Sequence, residues 1–380
     1  MKIAISALSA RVSSGLTFFH NFLPALAAQD TANEYCVILG AGQTALLEEI
    51  PERFEKRVIS NLTQSVIARV FWEQCILPVY LRKWKIDVLY SSGNLTSLFA
   101  GCATVVVITN SNPFSSLPIE WTTQQKVKHS LVRLFSILSA KRASRIIFLS
   151  ENSRALICRK FSLPLHKTKV VYYGWTPVNA RANGQFPPYS EYVLTVSVLL
   201  PHKNLAVLME AFDRLVEEYQ FPGFLIVVGA ILSKPYYERL LHLRRTLAHG
   251  ERIIFMGTVS QEELVALYKR ARLFMFPSLE ETFGLPLVEA MGCGIPIAAA
   301  DCRLAKDGKE YFTPFPELCG EAAEYFNPLD KESICASMQR LLCDEQYREY
   351  LVARGVERVK HFSWDLTARQ TIAVFAELQQ

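Results

Sequence analysis

The feature of this 380-residue sequence that most restricts its fold is a repeated alternation of short β-rich runs with amphipathic helical stretches. The β-rich runs begin at the first residues and lie at Lys2–Ser6, Tyr35–Leu39, Asp87–Ser91, Thr104–Thr109, Arg145–Leu149 and Lys169–Tyr173. Helical patterns such as Val66–Tyr80 and Val127–Ala140 lie between them. Strands that alternate with helices predict a parallel sheet covered on both faces, which is a doubly wound α/β domain.

A stretch rich in glycine, proline and polar residues interrupts the alternation after Tyr173 and predicts a linker over residues 178–190. The alternation then resumes, with β-rich runs at Tyr192–Ser197, Phe224–Val228, Arg252–Phe255, Leu273–Phe276 and Ile295–Ala299. We therefore expect two α/β domains, over residues 1–177 and 191–363, and a closing helix within Ser363–Leu378.

The composition, with 50% hydrophobic and 20% charged residues, indicates folded cores rather than disorder. No uninterrupted apolar run approaches the ~20 residues that a membrane-spanning helix needs, so we expect no such helix. The N-terminal segment superficially resembles a secretion signal, but polar residues at positions 11, 13, 14, 20 and 21 interrupt its apolar core, and we expect no cleaved leader. The nine cysteines are odd in number and never spaced C-x-x-C, which predicts neither a disulfide framework nor a structural zinc site and favours a reducing cytosol.

Basic residues are concentrated in the N-terminal half. Residues 1–180 carry 20 Lys and Arg against 10 Asp and Glu, and the remainder carries 21 against 26, which together give the net charge of +5. This imbalance favours an anionic partner such as a lipid surface, a lipid-linked phosphate or nucleic acid, and the alternative is chance surface composition. The segment Trp121–Arg145 places six basic residues among apolar ones, which fits either a surface helix that docks on anionic lipid or an ordinary amphipathic crossover helix.

The most informative stretch is Phe276–Asp301, with the sequence FPSLEETFGLPLVEAMGCGIPIAAAD. On one continuous helix Glu281 and Glu289 would stand about 12 Å apart, too far to bind one small ligand. Glycine at 284 permits a tight turn and proline at 286 suits the start of a helix, so we expect a helix to begin near Leu285. Glu281 then lies in the loop before this helix and Glu289 in its first turns, so that both carboxylates can reach one pocket.

The start of that helix offers backbone N–H groups from Phe283, Gly284 and Leu285, together with the positive end of the helix dipole. Ionised carboxylates accept hydrogen bonds from sugar hydroxyls. The segment therefore predicts a site for a sugar nucleotide. The alternative is a helix-capping glutamate plus a surface glutamate.

A second candidate is Lys203, in the turn LLPHKN between the run Tyr192–Ser197 and the next helix. A lysine at a helix N-terminus opposes the helix dipole, which is unfavourable by itself. A diphosphate bound between the lysine and the helix would explain its presence. The alternative is a solvated surface lysine.

The segment Gly40–Ala45 matches the dinucleotide-binding pattern G-x-G-x-x-A, but it follows the second β-rich run and no acidic residue lies near Asn61 to hold a ribose. It therefore predicts a plain βα turn. The sequence has no P-loop, H-E-x-x-H, G-x-S-x-G or D-x-D motif, and its seven histidines have no ligand spacing. We expect no metal and no cofactor, so that protein groups must stabilise the charge of a leaving group.

These residues resemble the retaining, metal-independent GT-B glycosyltransferases of family four. ETFGLPLVEAMGCGIP at 281–296 is similar to the family's E-x7-E signature, and F-P-S precedes it as is usual. Further similar motifs follow in the family's order, with HKN at 202–204, VVGA at 227–230, FMGTVS at 255–260, GEAAEYFNP at 320–328 and FSW at 362–364. The resemblance covers residues 190–380 closely and the N-terminal half by architecture and by VVYYGW at 170–175.

The resemblance implies the α/β GT-B fold, in which two Rossmann-like doubly wound domains face a central cleft. The C-terminal domain would bind the nucleotide sugar and the N-terminal domain the acceptor. The final helix, over residues 364–380, would pack back on the first domain.

The family's catalytic residues correspond to Glu281 at the transferred sugar, Lys203 at the diphosphate and Asn110 in the loop after the fourth N-terminal strand. Glu289 would hold the ribose hydroxyls. The implied donor-binding set is Thr258 and Val259, whose backbone would face the base, with Lys203, Glu281, Thr282, Phe283, Gly284, Leu285 and Glu289. On the acceptor side the resemblance implies Gly15 and Asn110.

The sequence departs from the family pattern at two places. The family has an arginine before the lysine, in the arrangement G-R-L-x-x-x-K, whereas this chain has Ser-Val-Leu at the aligned residues 197–199. One of the two cations expected at the diphosphate is therefore missing, and Arg154 is a candidate to replace it. Many members have a histidine near the transferred sugar, where this chain has ITNSNPF and offers Asn110 or Asn112.

We therefore expect a retaining glycosyltransferase that moves a hexose, of mannose or glucose type, from a GDP-sugar or UDP-sugar to a hydroxyl of a glycan or lipid-linked glycan in cell-surface polysaccharide synthesis. It would act in the cytoplasm, in contact with the inner membrane if the basic helix binds lipid, and without nucleic acid. Two alternatives stay open. One is a catalytically degenerate GT-B scaffold that binds a sugar nucleotide or a partner enzyme, and the other is an epimerase or phosphorylase on the same scaffold.

Overall fold

The computed structural model describes residues 1–10, 13–59, 65–115, 117, 123–177 and 191–379. The described residues divide into two compact units. Unit 1 draws on Met1–Ser115, Thr122–Thr176 and Phe362–Gln380, and unit 2 on Ser116–Trp121 and Pro177–His361. The predicted linker, 178–190, lies outside the described residues. Among the described helices, none combines the length and the apolar character that a membrane crossing requires.

Seven parallel strands form the sheet of unit 1: β1 (Lys2–Ser6), β2 (Glu34–Gly40), β3 (Glu55–Ile59), β4 (Val88–Ser92), β5 (Ala103–Ile108), β6 (Arg145–Phe148) and β7 (Thr168–Val170). They lie in the order β3-β2-β1-β4-β5-β6-β7. The helices between them are α1 (Ser13–Gln29), α2 (Thr44–Glu49), α3 (Val66–Phe71), α4 (Leu77–Lys83), α5 (Thr123–Arg142) and α6 (Glu151–Phe161). The strand order reverses direction between β1 and β4, which is the Rossmann arrangement.

Unit 2 repeats this architecture with six parallel strands: β8 (Tyr192–Val196), β9 (Phe224–Val228), β10 (Ile253–Gly257), β11 (Leu273–Phe276), β12 (Ile297–Ala300) and β13 (Glu324–Phe326). The order is β10-β9-β8-β11-β12-β13. Its helices are α7 (Leu205–Tyr219), α8 (Lys234–Thr246), α9 (Gln261–Arg270), α10 (Leu285–Gly292), α11 (Phe315–Cys319), α12 (Lys331–Cys343) and α13 (Glu345–Val359). Each unit is a doubly wound α/β domain, which confirms the predicted fold class.

Two edge strands were not predicted from the sequence. β3 has the sequence EKRVI and alternates between half-buried and exposed residues, so it lacks the continuous apolar character of a central strand. β13 is only three residues long. Both lie at the edge of their sheets, where burial on both faces is not required.

The C-terminal helix α14 (Trp364–Ala376) begins as the sequence predicts, with the side chain of Ser363 accepting a hydrogen bond from the backbone of the first turn. It packs on α1 in unit 1, and the rings of Trp364 and Phe18 lie 5.8 Å apart. Gly174 makes this packing possible, because a Cβ there would lie 2.2 Å from the backbone nitrogen of Trp364.

Helix α5 contains the predicted stretch Val127–Ala140, in which Val127 and Leu134 are 64% and 53% exposed. Leu131, Phe135 and Leu138 are half-buried, and Arg133 donates hydrogen bonds to the carbonyls at positions 113 and 115 at 3.0 and 2.9 Å. The apolar side chains of α5 are thus partly packed and partly exposed, and docking of this helix on anionic lipid stays a prediction.

The segment that imitates a dinucleotide fingerprint is a turn between β2 and α2. The backbone N–H of Gly40 donates to the side-chain oxygen of Gln43 at 2.8 Å, and the side-chain amide of Gln43 donates to the carbonyl of Ala7 at 2.9 Å. The turn is thus closed by hydrogen bonds within the protein, which agrees with the plain βα turn that the sequence predicts.

Candidate active site

The candidate site lies where the strand order of unit 2 reverses, between β8 and β11. The carboxyl ends of parallel strands share one edge of the sheet, and ligands of open α/β sheets bind in the crevice at this reversal. Lys203 lies in the segment after β8, and Glu281 lies in the segment after β11. The topology therefore places both predicted residues beside the same crevice.

Lys203 ends a short 3₁₀ turn, Pro201–Lys203, directly before α7. Asn204 follows in the left-handed conformation, with φ of 58°, and its side-chain amide donates to the carbonyl of Pro328 at 2.6 Å. The side chain of Lys203 is only 9% exposed. A solvated surface lysine, which was the alternative interpretation, is thereby excluded.

The ammonium of Lys203 donates a hydrogen bond to the carboxylate of Glu281. The Glu281 side chain is 16% exposed, and its backbone N–H donates to the carbonyl of Phe312 at 2.9 Å, which anchors the loop. The cation is thus already paired with a carboxylate. An anionic ligand at Lys203 has to share or replace this partner.

Helix α10 begins at Leu285, as the sequence predicts. The preceding residue, Gly284, has φ of 109°, and a Cβ there would lie 3.1 Å from the ring of Phe315. The first amides of a helix have no intrahelical carbonyl to bind, so they can donate to a ligand. The side chains of Thr282 and Phe283 are buried, which favours contact with a ligand through their backbone.

Glu289 lies one turn into α10 and is paired with Tyr268 of α9. The Tyr268 hydroxyl donates to the Glu289 carboxylate at 3.1 Å and lies 3.4 Å from the carbonyl of Pro286. Burial raises the pKa of Glu289 from 4.5 to about 7, and the hydrogen bond from Tyr268 opposes this rise. The carboxyl group therefore changes charge close to neutral pH.

Tyr268 is a residue of this site that sequence reasoning missed. It is 1% exposed and lies on the apolar side of α9, with Val265, Ala266 and Leu267 as its buried neighbours. Helical periodicity assigns such a tyrosine to the core. Only the contact with Glu289 indicates a role in the site.

His202 is the second residue that the sequence did not identify. It is buried, and burial together with the Lys203 ammonium holds its pKa well below the ordinary value of 6.5. The imidazole is therefore neutral beside the lysine. Its backbone carbonyl accepts from the N–H of Leu279 at 2.8 Å, which joins the two loops of the site.

Thr258 and Val259 lie in the loop after β10, at the same carboxyl edge of the sheet. Thr258 is exposed and Val259 is half-buried. The loop is preceded by Gly257 with φ of 72°. Their expected contact with a base stays a prediction.

Residues 197–199, where the family has its arginine, are held by backbone hydrogen bonds and close backbone packing. Ser197 and Leu199 donate to the carbonyls of Val228 and Ala230, each at 2.9 Å, and a Cβ on Gly229 would lie 1.9 Å from the Ser197 carbonyl oxygen. No cation is present at 197–199. Arg154, the suggested replacement, lies in unit 1 and forms an ion pair with Glu151 at 2.6 Å.

Two further predicted residues lie in unit 1. Asn110 is exposed after β5, and its side-chain oxygen accepts from the backbone N–H of Asn112 at 2.9 Å. Gly15 lies in α1, where a Cβ would lie 3.1 Å from the Cα of Ala10. Close packing against the loop after β1 therefore accounts for glycine at 15, and its acceptor role stays a prediction.

Within the described ranges, no three His, Cys, Asp or Glu side chains cluster as a metal-ion site would require.

Comparison with known proteins supports a common family. Residues 179–358 match the family model described as glycosyl transferases group 1. O-antigen chain mannosyltransferase B from Escherichia coli is 30% identical over 268 residues, which are 67% of this chain and 66% of that protein. The serotype-specific mannosyltransferase WbdA from Escherichia coli is 32% identical over 191 residues, which are 50% of this chain and 22% of the relative. The chain thus spans less than two thirds of the length of either relative.

Solved structures agree on the fold over the whole chain. Sucrose-phosphate synthase from Thermosynechococcus elongatus matches with a TM-score of 0.74 and 19% identity, over 100% of this chain and 99% of that one. HepE from Anabaena, in complex with UDP and glucose, matches with a TM-score of 0.69 and 19% identity, over 99% of each chain. The fold is therefore GT-B, and residues 179–358 match the glycosyl transferases group 1 family.

Proposed function

We propose that this protein is a retaining, metal-independent glycosyltransferase that moves mannose from a nucleoside-diphosphate sugar to a hydroxyl of a glycan or lipid-linked glycan, in the synthesis of O-antigen or a related cell-surface polysaccharide. The observation that carries the proposal is the Lys203–Glu281 pair at the strand-order reversal of unit 2. Relatives named as O-antigen chain mannosyltransferases favour mannose and this pathway class. Solved complexes of HepE with UDP-glucose favour a nucleotide-sugar donor.

Donor binding gives Lys203 and Glu281 new partners in place of each other. The diphosphate oxygens take the place of the carboxylate at the Lys203 ammonium, and the first amides of α10 donate to the same diphosphate. Glu281 is then available to accept hydrogen bonds from hydroxyls of the transferred sugar. Glu289 accepts from the ribose hydroxyls, and the backbone at Thr258 and Val259 faces the base.

Transfer proceeds on one face of the sugar. The bond between the anomeric carbon and the diphosphate oxygen breaks, and the acceptor oxygen forms its bond from the same side. The acceptor proton passes to the departing diphosphate, so that the products are the glycoside and the nucleoside diphosphate. Lys203 and the N-terminus of α10 stabilise the charge that develops on the leaving group.

The first test is thermal unfolding of the protein with GDP, UDP, ADP, dTDP and their sugars. A ligand that binds only the native state raises the melting temperature. We expect a shift with one base that is lost in Glu289→Ala. Folded protein that shifts with none of these nucleotides would refute the donor site and favour a degenerate scaffold.

The second test follows turnover with the donor so identified and glycan acceptors. We expect glycoside that keeps the anomeric configuration of the donor, at a rate unaffected by a metal chelator. Inversion at the anomeric carbon would contradict the one-face mechanism, and loss of activity with the chelator would contradict metal independence. Donor binding without transfer would support a binding scaffold, and consumption of donor without acceptor would support the epimerase or phosphorylase alternative.

A further inference from the structure

The helical segment 66–83 of unit 1 exposes an unusual number of apolar side chains along one line. Ile67, Phe71 and Val79 are 54%, 60% and 63% exposed, and Cys75 is exposed between them. Single exposed apolar residues are common on protein surfaces. Four residues at a constant spacing of four form what we call the apolar stripe: Ile67, Phe71, Cys75 and Val79.

A π-helical turn keeps this stripe straight. In a regular α-helix, side chains twelve positions apart differ in direction by about 120°, so Ile67 and Val79 would face different sides. The segment Trp72–Ile76, between α3 and α4, is π-helical and accommodates one extra residue, which turns the following residues back by about 100°. The two ends of the stripe therefore face nearly the same way.

A neighbouring loop extends the stripe with another exposed aromatic ring. Gln74 of the π-helical turn donates to the carbonyl of Thr96 at 3.0 Å and accepts from the N–H of Leu98 at 2.8 Å, which fixes the loop against the helix. Phe99, the next residue, is 60% exposed. The backbone N–H of Thr96 also donates to Ser139 of α5 at 3.0 Å, so the C-terminal end of α5 lies beside the same loop.

Basic side chains border this apolar surface. The guanidinium of Arg142, at the end of α5, lies 5.5 Å from the ring centre of Phe99. Arg82 lies beside the same loop, since a Cβ on Gly101 would be 3.1 Å from its Nε. Lys83 is exposed at the end of α4. Residues 65–145 contain ten Lys or Arg and three Asp or Glu, so this part of the sequence has a net positive charge.

We propose that the apolar stripe, Phe99 and the basic residues Arg82, Lys83 and Arg142 form a docking face for an anionic lipid bilayer. Exposed apolar side chains in line with a basic border are suited to insertion at the headgroup level, where cations meet lipid phosphates. The charge complementarity favours an anionic bilayer over a neutral one. The proposal concerns unit 1 alone and does not depend on the donor chemistry proposed for unit 2.

Vesicle flotation tests the face directly. We expect the protein to float with vesicles of phosphatidylcholine and phosphatidylglycerol at low salt, to float much less at high salt, and not to float with phosphatidylcholine alone. Phe71→Ser/Val79→Ser and Lys83→Gln/Arg142→Gln should each lower vesicle partition by about tenfold or more. Each variant should keep the wild-type melting temperature, because these side chains are exposed.

Matched controls come from the same chain. Leu165→Ser removes an apolar side chain of unit 1 that is 63% exposed outside the face, and Lys234→Gln/Lys331→Gln removes two exposed charges of unit 2. We expect both controls to float as the wild type does. Equal loss of flotation in the controls and in the face variants would overturn the proposal, because it would indicate non-specific adsorption.

The two exposed cysteines provide an independent readout. Cys75 lies in the apolar stripe and Cys343 lies in unit 2, at the end of α12. A polarity-sensitive fluorophore on Cys75, in Cys343→Ser protein, should shift to shorter wavelength when anionic vesicles are added. The same fluorophore on Cys343, in Cys75→Ser protein, should not. The assignment would be overturned if folded protein did not bind anionic vesicles, or if it bound them with no fluorescence shift at Cys75. It would also be overturned if the protein formed a solution dimer in place of binding lipid and Phe71→Ser/Val79→Ser broke that dimer.

Discussion

The ammonium of Lys203 hydrogen-bonds the carboxylate of Glu281, 78 positions further along the chain. The pair forms because β8 and β11 are neighbours in the sheet, so that the segments after them meet at one edge. The opposite charges of the two side chains compensate each other, which offsets the cost of burying the lysine. A diphosphate that enters the site replaces one anionic partner of the lysine with another.

The first prediction concerns the pair itself. Lys203→Met keeps an apolar stem but leaves the Glu281 carboxylate without its cation, so we expect the free energy of unfolding to fall by roughly 1–3 kcal/mol. Turnover should fall by about 10²–10³, because a group that stabilises the leaving diphosphate is removed. Lys203→Met/Glu281→Gln should recover part of the stability without recovering turnover. Near-normal turnover in the single variant would remove Lys203 from the site.

The second prediction concerns stability against pH. Because the folded-state pKa of Glu289 is about 7 against an ordinary 4.5, the folded state binds the proton more tightly between these values. Its contribution is therefore most favourable at low pH, and it is lost as pH rises through 7, by on the order of 3 kcal/mol. Glu289→Gln should abolish this slope in the free energy of unfolding measured by denaturant titration. Glu345→Gln, at an exposed glutamate, should leave the slope unchanged.

The third prediction assigns Tyr268 as a positioning residue for Glu289. An ionised carboxylate accepts hydrogen bonds from ribose hydroxyls, so nucleotide affinity should increase as pH rises through about 7. Tyr268→Phe removes the hydrogen bond that opposes the rise in the Glu289 pKa, and the midpoint of the affinity profile should move to higher pH. Calorimetric titration at several pH values measures this midpoint.

A control distinguishes positioning from packing. Tyr236 is also a buried tyrosine of unit 2, but its hydroxyl bonds to backbone rather than to Glu289. Tyr236→Phe should therefore leave the midpoint in place. A Tyr268→Phe variant that loses melting temperature at every pH with an unchanged midpoint would show a purely structural role.

The fourth prediction concerns the turn before α10. Gly284→Ala introduces a Cβ at φ of 109° and 3.1 Å from the Phe315 ring, so we expect a loss of about 1–3 kcal/mol in the free energy of unfolding. The nucleotide-induced rise in melting temperature should shrink, because the first amides of α10 are displaced. Gly308→Ala is the matched control, since Gly308 has φ of 76° and no atom within 4 Å of the added Cβ. An equal loss in both variants would mean that contact with Phe315 has no part in the effect.

Much of the fold could be predicted from short-range patterns. Central strands such as β1 and β9 are largely apolar because both faces of a parallel sheet are covered. Helix α7 shows a clear apolar repeat because only one of its sides is buried. The edge strands β3 and β13 could not be recognised, because one is charged and the other is three residues long. The turn at Gly284 and the start of α10 were predictable, since glycine and proline restrict the backbone within a few positions.

The sequence by itself therefore determined the two α/β units, the turn that begins α10, and the candidacy of Lys203, Glu281 and Glu289. Tertiary structure alone decided that Lys203 pairs with Glu281 and that Tyr268 contacts Glu289 from a different helix. Turn and helix signals depend on residues a few positions apart, whereas these contacts depend on which segments the strand order brings together. Burial, and with it the raised pKa of Glu289, exists only after that assembly.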